Sequence, residues 1–164
     1  MDFDQFLNWL QDTPIAIAIR EHEILFPWIE SFHVLAIVLV VGTISIVDLR
    51  LLGLASRNRA VTILMRETLP CTWAAFVVAV ITGSLLFSSN APKYAHNVYF
   101  QAKMALLVLA AGNMMVFHLI GARDIVRWDA AAATPIAAKT AGGISLLVWI
   151  AVVVCGRWIG FTLR

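Results

Sequence analysis

Four stretches of this chain are too long and too uniformly apolar to be half-buried elements of a water-soluble domain. They cover residues 25–55, 66–89, 98–121 and 136–162. Each exceeds the roughly 20 apolar residues that carry a helix across the hydrocarbon core. The connections near 56–65, 90–97 and 122–135 are short, with Asn90-Ala91-Pro92 a clear turn signal. Short connections favour antiparallel neighbours, so the pattern predicts an all-α, integral membrane up-down four-helix bundle, a single transmembrane domain over residues 1–164. Pro70 falls in the first turns of the second span as bounded here. Ahead of the spans, residues 2–12 place Phe3, Phe6, Leu7, Trp9 and Leu10 on one helical face, with Asp2 and Asp4 at its start. That segment is too short to span and predicts a short N-terminal interfacial helix, though without the usual basic face. Pro14 then interrupts, and a short apolar stretch leads to Arg20-Glu21-His22-Glu23.

Composition agrees. Of 164 residues, 61% are hydrophobic and 13% charged, where a soluble domain carries about 25% charged. Mean hydropathy is +0.86. A net charge of +2 without a basic, aromatic-interleaved stripe argues against nucleic acid as a partner. The acidic start, Asp2 and Asp4, is unlike a cleavable leader. Cys71 and Cys155 both sit in apolar runs and read as small buried hydrophobes rather than a disulfide or metal pair. Apart from the run Ala130–Ala133, no low-complexity tract or internal repeat stands out.

Basic residues set an expected orientation. Arg50, Arg57, Arg59 and Arg66 flank the first connection, and Arg123, Arg127 and Lys139 the third. Against these stand Arg20, Lys93, Lys103, Arg157 and Arg164. The positive-inside rule then places the first and third connections in the cytoplasm of a bacterial inner membrane, with both termini periplasmic.

The informative departure from the apolar pattern is the set of ionisable residues inside the spans, since such groups usually face a bundle interior, a cofactor or a cavity. Span one carries Glu30, His33 and Asp48. At 1.5 Å per residue from a midpoint near Val41, His33 lies about 12 Å outward and Asp48 about 10 Å inward. In span three, centred near Ala110, Lys103 lies about 10 Å outward and His118 about 12 Å inward. Two polar levels result. The outer one holds Glu30, His33, Lys103 and Arg157, with Tyr94, His96, Asn97 and Tyr99 just above. The inner one holds Asp48, Arg50, Arg66, Glu67, His118 and Arg123, with Asn113 nearer the middle. His33 and His118 are thus separated by about 20 Å or more in depth and cannot ligate one iron within a protomer.

At the outer level, an imidazole with cations nearby suits a b-type haem: His33 for iron, Lys103 and Arg157 for propionates. His96 is a candidate second axial ligand and His22 a weaker one, with Trp28, Phe32, Phe100 and Trp158 as aromatic lining. The alternatives are plain helix-to-helix polarity or a quinone or substrate site. At the inner level, Asp48 can orient His118 by accepting from one ring nitrogen while the other serves as ligand or proton acceptor. A contact that only locks helices together, Asp48 with His118 or with Arg50, explains the same residues. Met65, Met114 and Met115 lie close in depth and read as packing. No CxxC, HExxH, phosphate loop or nucleophile elbow is present, and Glu30-x-x-His33 occurs once where a di-iron bundle needs the motif twice.

The run HVLAIVLVVGTISIVDLRLLGLA, with ITGSLLF, the Tyr94–Asn97–Phe100–Lys103 stretch and NMMVFH, resembles a family of small four-span bacterial inner-membrane proteins of unknown function. The resemblance spans about residues 25–160 and is most specific at His33, Asp48 to Gly53, Lys103, Asn113 and His118. It implies the four-helix fold and no particular activity. It does not extend to His96 or His22, which leaves the second position at His33 open to a haem shared across protomers. More loosely, a histidine early in a span before a glycine-containing apolar run resembles membrane b-type cytochromes and the membrane domain of copper-resistance proteins. The leading expectation is a haem-b-binding membrane protein, an oxidoreductase-type cytochrome, passing electrons between a membrane quinol and a periplasmic carrier. It would have iron on His33 and, for a second haem, on His118, with Glu30, Asp48 and Asn113 as supporting groups. The other expectations are a copper-handling or small-solute transporter, and a non-catalytic anchor or assembly subunit. A homo-oligomer is expected, with Gly142, Gly143 and Ser145 permitting close helix approach.

Overall fold

The computed structural model describes residues 2–121, 125–129 and 134–163, and the regular structure among them is helical throughout. In chain order the helices are α1 (Phe3–Gln11), α2 (Pro14–Glu21), α3 (Leu25–Leu52), α4 (Val61–Ser89), α5 (Ala91–Ala95), α6 (Val98–Val116), α7 (Ile125–Trp128) and α8 (Ile136–Thr162). A π-helical turn over Phe117–Gly121 continues α6. Arg123, Arg164 and the Ala130–Ala133 run lie outside the described residues, as does the side chain of Arg127.

Four helices are long and apolar enough to cross a membrane: α3, α4, α6 with its π extension, and α8. Large apolar side chains such as Val108 and Leu147 are 74% and 69% exposed. A surface of that kind is stable only where the solvent is lipid, and the chain is a membrane protein. Cys71 is exposed on this surface and Cys155 is half-buried, both as free thiols. The expected burial of the two cysteines is therefore corrected: in a bilayer a small apolar side chain needs no protein cover.

Two span boundaries move. α3 stops at Leu52, where Gly53 adopts the left-handed cap conformation at φ 75°. α4 starts at Val61, five residues earlier than its apolar run suggests, so Pro70 sits in the helix interior. The reason for the early start is tertiary. Asp129 reaches across from the third connection and accepts from the Thr62 backbone N–H at 2.8 Å and from the Thr62 hydroxyl. Its backbone carbonyl accepts from the Val61 N–H at 3.2 Å. These are groups that a helix start leaves unsatisfied. Arg50, only 1% exposed, completes the lock. Its guanidinium donates to the Arg59 carbonyl at 2.8 Å, the Asp129 carbonyl at 3.2 Å and the Thr134 hydroxyl at 3.2 Å. The first and third connections are thus fastened to the end of α3. A cluster of Leu51, Val61, Phe117, Trp128 and Ala138 packs beside them. This is the loop end of the bundle.

The other end holds both chain ends. There α1, whose Asp2 N–H donates to Gln5 Oε1 at 3.1 Å, packs on α5, buries Leu7 and leaves Phe3, Phe6 and Trp9 exposed. The expected N-terminal helix is present. α2 was not foreseen, because eight residues show too little period. Thr13 caps it and Pro14 opens it. Arg20 then ties it down by donating to the Ser89 and Gln11 carbonyls at 3.3 and 3.4 Å.

The long helices form an open arc. α3 packs against both α4 and α8, and α8 packs against α6. Gly142 makes the α3–α8 crossing close: a Cβ there would lie 3.0 Å from Leu51 Cβ and 3.1 Å from the Asp48 carbonyl. Gly142, expected to serve contact between copies, is used within the chain. α4 and α6, although consecutive, are not a packed pair. Where they approach, at the end holding the termini, Phe87 stacks on Phe100 at 5.2 Å and Tyr94 packs on both rings.

Burial works to raise the Asp129 pKa, but the Thr62 and Val61 bonds and the charge of Arg50 outweigh it and hold the carboxyl below its ordinary value. A carboxyl with a depressed folded-state value stabilises the fold above its unfolded value, ~3.9, and loses that contribution as pH falls through the folded value. Thermal melts in detergent should show a stability loss below about pH 4 that is weakened in Asp129→Asn. Asp129→Ala should lower stability by about 1 kcal/mol at neutral pH, the typical worth of a helix cap.

Candidate functional site

The open side of the arc is a crevice of about 290 Å³ in the half of the bundle nearer the loop end, walled by α3, α4, α6, the π-helical turn and α8. Trp73 of α4 and Met114 of α6 belong to its wall and are also exposed at the surface, so it opens sideways between these helices. Its lining is mostly apolar, with Phe76, Phe117 and Trp149 contributing rings and Met65 a thioether. Into this wall project Asp48, Thr68, Thr72, Asn113, His118 and Ser145.

Asp48 is 5% exposed. Ser145 of α8 hydrogen-bonds its carboxylate, while its Oδ2 is buried without a hydrogen-bond partner among the described residues. A buried acceptor left bare is costly, about 1–3 kcal/mol and more for a charged group, so it is the atom of this wall that calls for an explanation.

The other polar groups are oriented by the backbone. His118 Nδ1 lies 2.9 Å from the Met114 carbonyl. A carbonyl only accepts, so in the neutral ring Nδ1 carries the proton and Nε2 presents a lone pair. Asn113 Nδ2 donates to the Ala141 carbonyl at 3.0 Å. Thr68 donates to the Leu64 carbonyl at 2.9 Å, and Thr72 shares its one proton between Thr43 and the Thr68 carbonyl at 2.8 and 3.0 Å. Asp48 and His118, expected to share a level, do line one cavity. The carboxyl partner observed for Asp48 is Ser145, and the ring partner observed for His118 is its own backbone.

The second cluster lies toward the end holding the termini. His33 Nδ1 is 2.9 Å from Thr82 Oγ1. Thr82 spends its proton on the Val78 carbonyl at 2.7 Å, so it accepts from Nδ1, and the Ala79 backbone acts on the ring as well. The Cε1 edge of the ring presses on α4 because residue 83 is glycine: a Cβ there would sit 2.9 Å from His33 Cε1. The charge of Lys103 acts on this imidazole, and Cys155 lies close to Lys103 in turn. The Lys103 ammonium lies over Gly156, 3.8 Å from where a Cβ would stand. Glu30 lies near enough to Tyr94 to act on its phenol, whose pKa is raised chiefly by burial and further by that carboxylate.

Other expected members are turned elsewhere. His96 Nδ1 is 2.9 Å from the Pro92 carbonyl and its Nε2 is 3.6 Å from Asp4. His22 accepts from the Ile24 N–H at 3.4 Å. Arg157 stacks over Phe161 at 4.7 Å. Trp28, Phe32 and Trp158 are exposed. Arg66 and Glu67 do not line the crevice, and Glu67 pairs with Arg59 at 3.0 Å. Among the described residues, no three of His, Cys, Asp and Glu come together as a metal site. The residues missed by sequence reading are Ser145 as the Asp48 partner, Thr82 as the His33 partner, and the threonine pair Thr43–Thr72. The spacing of Gly142 and Ser145, three apart on one face, was the signal for the first.

A family model described only as a family of unknown function (DUF6644) matches residues 8–162. No curated protein and no solved structure matches the chain.

Gly83→Ala should push the His33 ring off α4 and break its bond to Thr82. A stability loss of about 1–3 kcal/mol and a changed imidazole nitrogen NMR shift are expected, whereas Gly112→Ala, where open space surrounds the Cβ, should leave both unchanged.

Proposed function

The chain belongs to the family of unknown function DUF6644, and from its geometry we propose that it is an electron-transfer protein of the bacterial inner membrane that draws a quinol from the lipid into the crevice between α4 and α6. One observation carries the reading: an apolar crevice opening on the bilayer ends at a buried carboxyl oxygen with no partner. A quinol complements it, with a flat ring for the aromatic and aliphatic wall and two hydroxyls for the acceptors. The cavity volume is at the small end of the ~300–1,000 Å³ typical of small-molecule sites, as suits a headgroup whose tail stays in lipid.

Oxidising a quinol to a quinone releases two protons and two electrons. Asp48 Oδ2 and His118 Nε2 are the groups placed to accept the protons. The electrons pass to a one-electron acceptor and on to a periplasmic carrier. A b-type haem would supply a one-electron iron centre, with His33 to hold its iron and Lys103 a propionate. Among the described residues no second imidazole stands beside His33, so a further ligand would come from another copy, in keeping with a homo-oligomer. Arg50, Arg57, Arg59, Arg66 and Lys139 gather at the loop end, which supports a cytoplasmic loop end and periplasmic termini. Protons are then released on the side of the crevice, and His33 lies on the side of the periplasmic acceptor.

A short-tailed quinol added to the protein in nanodiscs should quench its tryptophan fluorescence saturably, since Trp73 and Trp149 line the crevice. Ala111→Phe, which fills the crevice wall, should weaken binding at least about tenfold, a loss near 1.4 kcal/mol. The absence of saturable quenching, or quenching unaltered by Ala111→Phe, overturns the quinol reading. The haem component requires b-type bands in the reduced-minus-oxidised spectrum that are lost in His33→Ala, and a colourless protein overturns it.

A further inference from the structure

We propose that the crevice selects the reduced, hydrogen-bond-donating form of its ligand, so that a quinol binds in preference to its own quinone. The inference rests on the quinol reading above and specifies the chemistry that the site accepts.

The argument is a proton count around the wall. Each threonine hydroxyl has one proton, and those of Thr68 and Thr72 are spent on neighbouring oxygens. Ser145 is engaged with Asp48. His118 has committed its Nδ1 proton to Met114, and Asn113 has committed one amide proton to Ala141. What these lining residues have left for a ligand is mostly lone pairs, on Asp48 Oδ2, His118 Nε2, Asn113 Oδ1 and the threonine oxygens. The donors left on the wall are the second amide proton of Asn113 and the indole N–H groups of Trp73 and Trp149.

The imbalance matters most at Asp48 Oδ2, the atom that is buried and bare. Ionised, it accepts and does not donate, whereas a neutral carboxyl would donate to a quinone carbonyl, so the preference belongs to the ionised form. A quinol hydroxyl satisfies it with a charge-assisted bond, which is stronger than a neutral one. A quinone brings only carbonyl acceptors and leaves Oδ2 desolvated, unless the carboxylate first takes up a proton. Sites built to hydrogen-bond a hydroxyl discriminate strongly against analogues that lack it, because the buried protein group is then unpaired.

The test is to titrate the wild-type protein in nanodiscs at alkaline pH, where the carboxyl is ionised, with a short-tailed benzoquinol under anaerobic reducing conditions, with the corresponding quinone under matched non-reducing conditions, and with the bis-O-methyl ether of the quinol. The quinol should bind at least about tenfold tighter than either of the others. For a two-electron couple that preference raises the midpoint potential of the bound ligand by about 30 mV. In Asp48→Asn, which replaces the bare acceptor with an amide carrying its own N–H, the quinol preference should shrink to within about threefold. Equal affinity for quinol and quinone in the wild type overturns the inference while leaving the crevice as the binding site. So does a full preference retained in Asp48→Asn. Failure of all three molecules to bind overturns the underlying quinol reading. Because the wild-type comparison is decisive by itself, the inference remains open to refutation even if the variant does not fold.

Discussion

The arrangement of this bundle depends on one buried arginine. In lipid there is little hydrophobic force to bring one apolar helix against another, so packing and polar contacts set which helices touch and in what register. Arg50 supplies such contacts at the loop end. It lies within hydrogen-bonding distance of two backbone carbonyls and a threonine hydroxyl from segments far apart in the chain. Through Asp129 the same lock supplies the cap of α4. A buried guanidinium is tolerated only when its donors are satisfied. The connections therefore close over it, and the starts of α4 and α8 are fixed relative to the end of α3.

From that anchor the helices diverge. Gly142 lets α8 press on α3, and Gly83 lets His33 lie on α4, so α3 is held closely on both sides. α6 is reached only through α8 as a packed neighbour, with Asn113 bonded to the α8 backbone and Asn97 to Thr162. Stacking of Phe87 on Phe100 narrows the gap between α4 and α6 at the end holding the termini. Nearer the loop end nothing comparable fills it, and the crevice results. The site thus follows from a fold that secures three helix pairs and leaves the fourth apart. The π-helical turn that carries Phe117 and His118 lies at this open side, in keeping with the tendency of π segments to occur at functional sites.

The levels read from the 1.5 Å rise of a helix, which needs no knowledge of neighbours, group His33 with Lys103 and Asp48 with Asn113 and His118, and the structure brings the members of each group near one another. The direction of each side chain within its level was less legible. Asp48 and His118 were paired by depth, yet the carboxylate is held by Ser145 and the imidazole by its own backbone. His96 and Arg157 belong to the right level but turn to Asp4 and Phe161. Depth is a one-dimensional property, whereas partner choice depends on the rotation of each helix about its axis.

By itself the sequence determined the fold class, the four spans and the N-terminal helix. Long apolar runs in a bilayer must satisfy their own backbone hydrogen bonds, and the helix does so residue by residue. Only the tertiary structure decided that α4 begins at Val61, that α4 and α6 stand apart, and that among the described residues one oxygen of Asp48 is left without a donor. Each of these turns on groups distant in sequence: Asp129 beside Thr62, Gly142 beside Leu51, Ser145 beside Asp48. Hydrophobic periodicity is nearly silent in helices apolar on every side, so it could not show which face of each helix would meet another and which would line a gap.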